Sequence, residues 1–235
     1  MNAAIVTVGD ELLAGDTENT NATWLATQLT DRGVDVERVT TVPDRVADIA
    51  RVVNEYRAEY DAVVVTGGVG PTHDDVTMEG VANALGRELA VDDDAEAWLT
   101  QHGGYSGNEL DDGTTMLPRG ARPLHNEVGV APGCVVDSVY VFPGVPAEMK
   151  SMFASVADDF VGERRHTETV ETAEAESTLL DRLARLRDQF DVTVGSYPSD
   201  TVRVKLTGTD ETEVREAAAW LRDRVEPPAA TTDGS

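Results

Sequence analysis

The chain has 235 residues, 40% of them apolar, enough for one domain with a substantial core and a smaller second one. Its formal charge of −25, with Lys150 and Lys205 as its only lysines, argues against holding nucleic acid or an anionic membrane through a broad basic surface. No apolar run reaches the ~18 residues of a membrane span, and Met1–Ile5 lacks the basic start of a signal peptide. The acid surplus lies on strong apolar periodicity, so it reads as the solubilising surface of a protein from concentrated salt rather than as disorder. The single cysteine, Cys134, allows no internal disulfide and fits a reducing cytoplasm; it reads as a small buried apolar side chain.

In chain order, Ala3–Val8 is an apolar strand and Gly9–Asn19 a loop. Thr20–Asp31 has helical spacing, with Trp24, Leu25 and Leu29 expected in the core and Gly33 closing it. Val34–Val42 is a strand, Arg45–Arg57 an amphipathic helix, Ala62–Thr66 a fully apolar strand and Asp75–Leu85 a third helix. Asp92–Gln101 is helical, 102–115 a loop, and 122–136 irregular with strand-like pieces. Val139–Phe142 is a strand and Ala147–Phe160 a helix. This strand–helix alternation predicts an α/β fold with three layers, a mostly parallel sheet between helices. Beyond residue 163 the order strand (167–172), helix (176–190), strands (192–196 and 202–207) and helix (211–225) describes a small α+β domain. The domains expected are 1–163 and 164–226, followed by a disordered tail over 227–235.

Right-handed crossovers keep the parallel strands pointing one way, so their C-terminal ends share the edge where open α/β sheets bind ligands. Gly9-Asp10-Glu11, Pro43-Asp44, Thr66–Gly70 and Pro143-Gly144 all follow strands and meet there. Gly67, Gly68 and Gly70 leave the backbone bare for an anion, and the following helix aims its positive end at the same space. Asp10, Asp44, Asp74 and Asp75 bring carboxylates beside that cradle, which suits a divalent cation such as Mg²⁺ bridging to phosphate. Simpler roles stand beside these: Asp44 as the N-cap of the next helix, Thr72-x-x-Asp75 as a capping box, the glycines as a plain turn. The spacing is neither a Walker A loop nor a dinucleotide fingerprint, and His102, His125 and His166 have no zinc-ligand spacing with Cys134.

Several collinear segments resemble the amino-terminal domain of the CinA (competence/damage-inducible protein A) family, related to the MoaB/Mog molybdopterin-binding fold. They are Gly9–Gly15, Thr20-Asn21, Val42-Pro43-Asp44, Thr66–Thr77, Leu117–Ala121, Val128–Gly133 and Phe142–Lys150; Gly195-Ser196-Tyr197-Pro198 resembles the family's second domain. The resemblance implies a pterin or nucleotide ligand, a homo-oligomer, and metal-dependent cleavage of an ADP-ribose-like pyrophosphate, with Asp44 and Asp75 catalytic. The same resemblance offers a molybdopterin adenylyltransferase, with molybdopterin as the bound group, or a non-catalytic pterin or nucleotide binding module, as alternatives. The ligand contacts it implies are Gly9, Asp10, Thr20, Asn21, Gly67, Gly68, Gly70, Pro71, Thr72, Thr77, Asn126, Pro143, Gly144, Pro146 and Lys150. At 111–115 the chain departs from the Asn-Arg-x-Gln common in the family, which removes a basic contact, and Glu127 replaces a common proline; few basic residues remain near the edge, Lys150 being the best placed.

Overall fold

The structure, a computed structural model, describes residues 1–70, 74–102 and 115–228. It divides into two compact units, Met1–Gly162 and Glu163–Ser235.

The first unit runs β1 (Asn2–Val8), α1 (Asp10–Ala14), α2 (Thr20–Asp31), β2 (Asp35–Val42), α3 (Val46–Glu59), β3 (Ala62–Thr66) and α4 (Thr77–Leu85). It continues with β4 (Leu89–Val91), α5 (Asp93–His102), β5 (Met116–Pro118), β6 (Arg122–Leu124), β7 (Gly133–Val136), β8 (Val139–Phe142) and α6 (Pro146–Val156). The main sheet has the order β2-β1-β3-β8-β7-β6. β2, β1, β3 and β8 are mutually parallel, while β7 and β6 complete the sheet antiparallel.

Successive residues of a strand face opposite sides, and the buried strands use both. Ala4, Val6 and Val8 of β1 with Val63 and Val65 of β3 meet Ile49, Val53 and Tyr56 of α3 and Val81 of α4. Ala3, Ile5, Ala62 and Val64 meet Leu25 and Leu29 of α2 and Met149, Met152 and Phe153 of α6 on the other side. Every residue of β3 is buried, which at roughly 1.5–3 kcal/mol per large apolar side chain makes this strand the anchor of the layer. Because β3 lies between β1 and β8, the turns after these strands emerge side by side.

Two local expectations are corrected. The stretch after β1 is not a plain loop: α1 forms one short helix closed by Gly15 in the left-handed region (φ 78°). The β4–β5 ribbon, paired antiparallel over three residues, has no counterpart in the sequence reading.

The second unit comprises β9 (His166–Thr172), α7 (Glu176–Gln189), β10 (Thr193–Pro198), β11 (Val202–Gly208) and α8 (Glu211–Arg222). Its sheet, β10-β11-β9, is antiparallel. One face packs Val170, Val204 and Leu206 against Leu179, Leu183 and Leu186 of α7 and Val214 and Leu221 of α8. Glu174 ties the end of this unit down: it pairs with Arg182 and accepts the Glu226 peptide N–H at 2.8 Å. The tail expected at 227–235 lies mostly outside the described residues. Among the described residues no helix is long and apolar enough to cross a membrane.

Candidate functional site at the sheet edge

The turn after β3 is the centre of the site. Gly67 and Gly68 both have positive φ, 100° and 58°. At Gly67 a Cβ would sit 2.1 Å from the Val8 carbonyl oxygen, so this turn packs directly on the end of β1. Thr77, fully buried at the start of α4, closes the turn from behind: its hydroxyl donates to the Gly67 carbonyl at 2.8 Å and its N–H to the Gly68 carbonyl at 3.1 Å. Residue 76, the N-cap of α4, makes no side-chain cap. The positive end of α4 therefore lies beside the turn without a protein carboxylate or hydroxyl capping it through that residue.

The carboxylates converge on this turn. A Cβ on Gly68 would come 3.0 Å from Asp44 Oδ1, and one on Gly70 would come 2.6 Å from Asp75 Oδ2. Asp44 is not the N-cap of α3. That position is Arg45 and makes no side-chain cap, whereas Asp44 Oδ2 accepts the Asp10 N–H at 2.9 Å, from the neighbouring strand end. Burial, opposed by that hydrogen bond and reinforced by the charges of Asp10, Glu11 and Asp75, pushes the Asp44 carboxyl above its ordinary value. It is held partly buried among like charges, so its ionised form does not favour the folded state.

The opposite wall comes from the turn after β8. Thr66 donates its hydroxyl to the Pro143 carbonyl at 2.8 Å, and Asn21 donates its side-chain amide to the Gly144 carbonyl at 2.6 Å. Gly144 packs close to the Gly67 Cα. The Asn21 Oδ1 atom is buried and has no hydrogen-bond partner among the described residues. An orphaned acceptor of this kind disfavours the folded state unless a ligand donates to it.

Between these walls lies a cavity of about 270 Å³. Gly9, Thr20, Asn21, Asp44, Gly67, Gly68, Asp74, Asp75, Gly144 and Pro146, all expected at the site, line it together with Glu11 and Asn19. Gly70 lines the adjoining cleft with Asp75. Asp10 contributes its peptide N–H to Asp44, Pro143 its carbonyl to Thr66, and Thr77 supports the turn from within. Lys150 stands on a neighbouring groove with Trp24. Pro71, Thr72 and the capping box drawn through Thr72 lie outside the described residues, as do His73 and the altered residues 111–114.

Asn126 is a correction. It is buried elsewhere and its amide is fully engaged: it donates to the Ala131 carbonyl at 3.0 Å and Glu148 at 2.8 Å and accepts the N–H groups of Val128 and Gly129. Its role is to fix that turn. Trp24, expected in the core, is partly buried: it packs against the core at Phe153 and also reaches the groove beside the site. Sequence reasoning also passed over Asn19, which caps α2 and donates to Thr7 Oγ1 at 2.9 Å. Its signal was the N-cap preference for Asn one residue before Thr20.

Among the described residues that line the cavity no histidine or cysteine occurs, and carboxylate, amide and hydroxyl oxygens are the set preferred by a hard divalent ion. Among the described residues no three His, Cys, Asp or Glu are drawn together into a ready cage. Mg²⁺ keeps several waters and takes one or two carboxylates plus substrate phosphates. The donor set thus fits an ion that arrives with a phosphorylated ligand, and Asp44 and Asp75 are the pair that would hold it.

Fold and site together define an α/β domain with a glycine turn and carboxylates at the C-terminal edge of parallel strands. Residues 4–162 match the family described as "Probable molybdopterin binding domain", and residues 164–233 match the FAD synthase middle domain. A protein of Archaeoglobus fulgidus is 40% identical over 225 residues, covering 95% of this chain and 97% of that one. A CinA-like protein of Frankia casuarinae is 36% identical over 261 residues, a match that covers all of this chain and 59% of the other. The crystal structure of CinA from Thermoplasma acidophilum, described as of unknown function, matches with a TM-score of 0.63 at 37% identity, over 68% of this chain and 98% of that one. The chain belongs to the molybdopterin-binding domain family, in its CinA branch.

Proposed function

We propose that the sheet-edge cavity hydrolyses the diphosphate of an ADP-ribose-like nucleotide with the help of a divalent cation. The observation that carries this reading is the meeting of Asp44 and Asp75 on the two glycines of one turn, Gly68 and Gly70, around one cavity. Acids placed against bare peptide suit a ligand that is anionic and brings a cation with it. The match of the second unit to a FAD synthase domain supports a nucleotide as the ligand class.

A bound Mg²⁺ or similar ion supplies charge neutralisation and a more acidic water. Asp44 and Asp75 would hold it. Gly68 and Gly70 carry no Cβ, so the bare peptide of this turn would face charge growing on a phosphate oxygen. The start of α4, whose N-cap residue makes no side-chain cap, adds its dipole. Asn21 orients the ligand through its unpartnered Oδ1, which accepts from a sugar hydroxyl or ring N–H. Water adds to one phosphorus, the P–O–P bond breaks, and the products are AMP and ribose 5-phosphate.

Transfer of an adenylyl group from ATP to molybdopterin is the second reading, supported by the description of the family. It uses the same walls. Product analysis separates the two: ADP-ribose with Mg²⁺ yields AMP under the first, while ATP with molybdopterin yields pyrophosphate under the second. Asp44→Ala and Asp75→Ala should each abolish turnover under the first reading; full activity in both variants would refute it.

A further inference from the structure

We propose that the groove beside α2 binds the nucleoside arm of the substrate, its base lying against Trp24; this rests on the nucleotide reading above. The groove, about 590 Å³, is lined by Trp24, Lys150, Thr20, Thr23, Asn19 and Glu18 among others. It shares Glu18, Asn19 and Thr20 with the diphosphate cavity, so one ligand can extend from one into the other.

The platform is rigid. The Trp24 indole meets the Phe153 ring edge-on, with centroids 5.4 Å apart at 84°, and Phe153 is itself buried in the core. Lys150 Nζ stands 5.5 Å from the indole centroid. Lys150 is one of two lysines in a chain of net charge −25, and it stands beside a cavity ringed by acids. A partly buried indole with a cation over its ring suits a planar, electron-rich base attached to a phosphate. The cavity of about 270 Å³ suits the diphosphate and one sugar, but not both ends of a two-armed nucleotide. The second end needs a place, and this groove is continuous with the first.

The test uses the full chain with Trp98 and Trp220 replaced by Phe, which leaves Trp24 as its only tryptophan. Titration with ADP should quench or shift the Trp24 emission; ribose 5-phosphate should not. In the otherwise native chain, Trp24→Leu and Lys150→Gln should each weaken ADP and ADP-ribose binding about tenfold or more, given what a stacked base contributes, and leave ribose 5-phosphate unchanged. Trp24→Leu keeps an apolar contact to Phe153, and the exposed Lys150→Gln does not disturb the core, so a folding defect cannot mimic both. Equal affinity of both variants and the wild type for ADP, or equal loss for all three ligands, overturns the groove assignment. If ADP-ribose is turned over in an Asp44-dependent way while Trp24→Leu is silent, only the groove proposal fails. If ADP perturbs Trp24 and no nucleotide is cleaved, the groove stands and the pyrophosphatase reading falls.

Discussion

Replacing Gly68 by Ala probes the turn on which the whole site is built. Gly68 has φ 58°, a conformation that strains an L-residue by about 1–2 kcal/mol. The new methyl would sit 2.5 Å from Thr77 Oγ1, 3.0 Å from Asp44 Oδ1 and 3.2 Å from Val8 Cγ1. Thr77 is fully buried, so its hydroxyl can give way only by releasing the Gly67 carbonyl. That adds about 1–2 kcal/mol for the hydrogen bond and the stranded carbonyl. The sum is roughly 2–4 kcal/mol. For a unit of this size it corresponds to a fall in Tm of about 5–15 °C. Gly70→Ala is the control. Its methyl meets the Asp75 carboxylate, the movable end of a side chain, at 2.6 Å. Stability should change by less than about 1 kcal/mol while nucleotide turnover is lost. Thermal unfolding followed by circular dichroism, with turnover of ADP-ribose on the same samples, reads both. A Gly68→Ala variant as stable as wild type would refute the packing described for this turn.

Three other outcomes are expected. Asp44→Asn should raise Tm at neutral pH while abolishing turnover: burial lifts the folded-state pKa above the unfolded one, so the ionised form opposes folding above that window, and turnover in the wild type should rise with pH through it; a lower Tm for the variant would contradict this. Glu174 titrates at about 2 because Arg182 and then the Glu226 N–H favour its ionised form, so its contribution to the second unit is present above 4.5 and is lost as pH falls toward about 2; Glu174→Gln should flatten acid unfolding followed at Trp220, and an unchanged acid transition would count against the clamp. With a charge of −25, unfolding should move to higher temperature between low and molar KCl as repulsion is screened; a Tm independent of salt would sink the saline-adapted reading of the surface.

The fold was legible wherever burial is two-sided. Ala62–Thr66 reads as a strand because five consecutive residues are buried on both faces, and its bounds agree with the structure. The β4–β5 ribbon was not legible, because three-residue strands carry no period and their pairing spans a long gap in sequence. Trp24 was legible only in part: neighbouring residues on a helix point about 100° apart, so Leu25 is fully buried while Trp24 sits at the margin of the same core. The convergence of the turns followed from topology alone, which parallel pairing of β2, β1, β3 and β8 satisfies. The partner of Asp44 was not legible, because a carboxylate before a helix looks like a cap. Only the fold reveals that it accepts the Asp10 N–H from 34 residues away in sequence. Asn126 misled for the opposite reason: in a turn, a side-chain amide that fixes backbone looks the same in sequence as one that holds ligand.

A crystal structure with Mn²⁺ and a methylene-bridged analogue of ADP-ribose, which cannot be cleaved, tests the central claim most directly. The bridging diphosphate is predicted over Gly68 and Gly70, with the anomalous peak of the metal beside Asp44 and Asp75 and a ligand hydroxyl or N–H on Asn21 Oδ1. An analogue bound away from this edge, or a metal peak remote from both carboxylates, would contradict it.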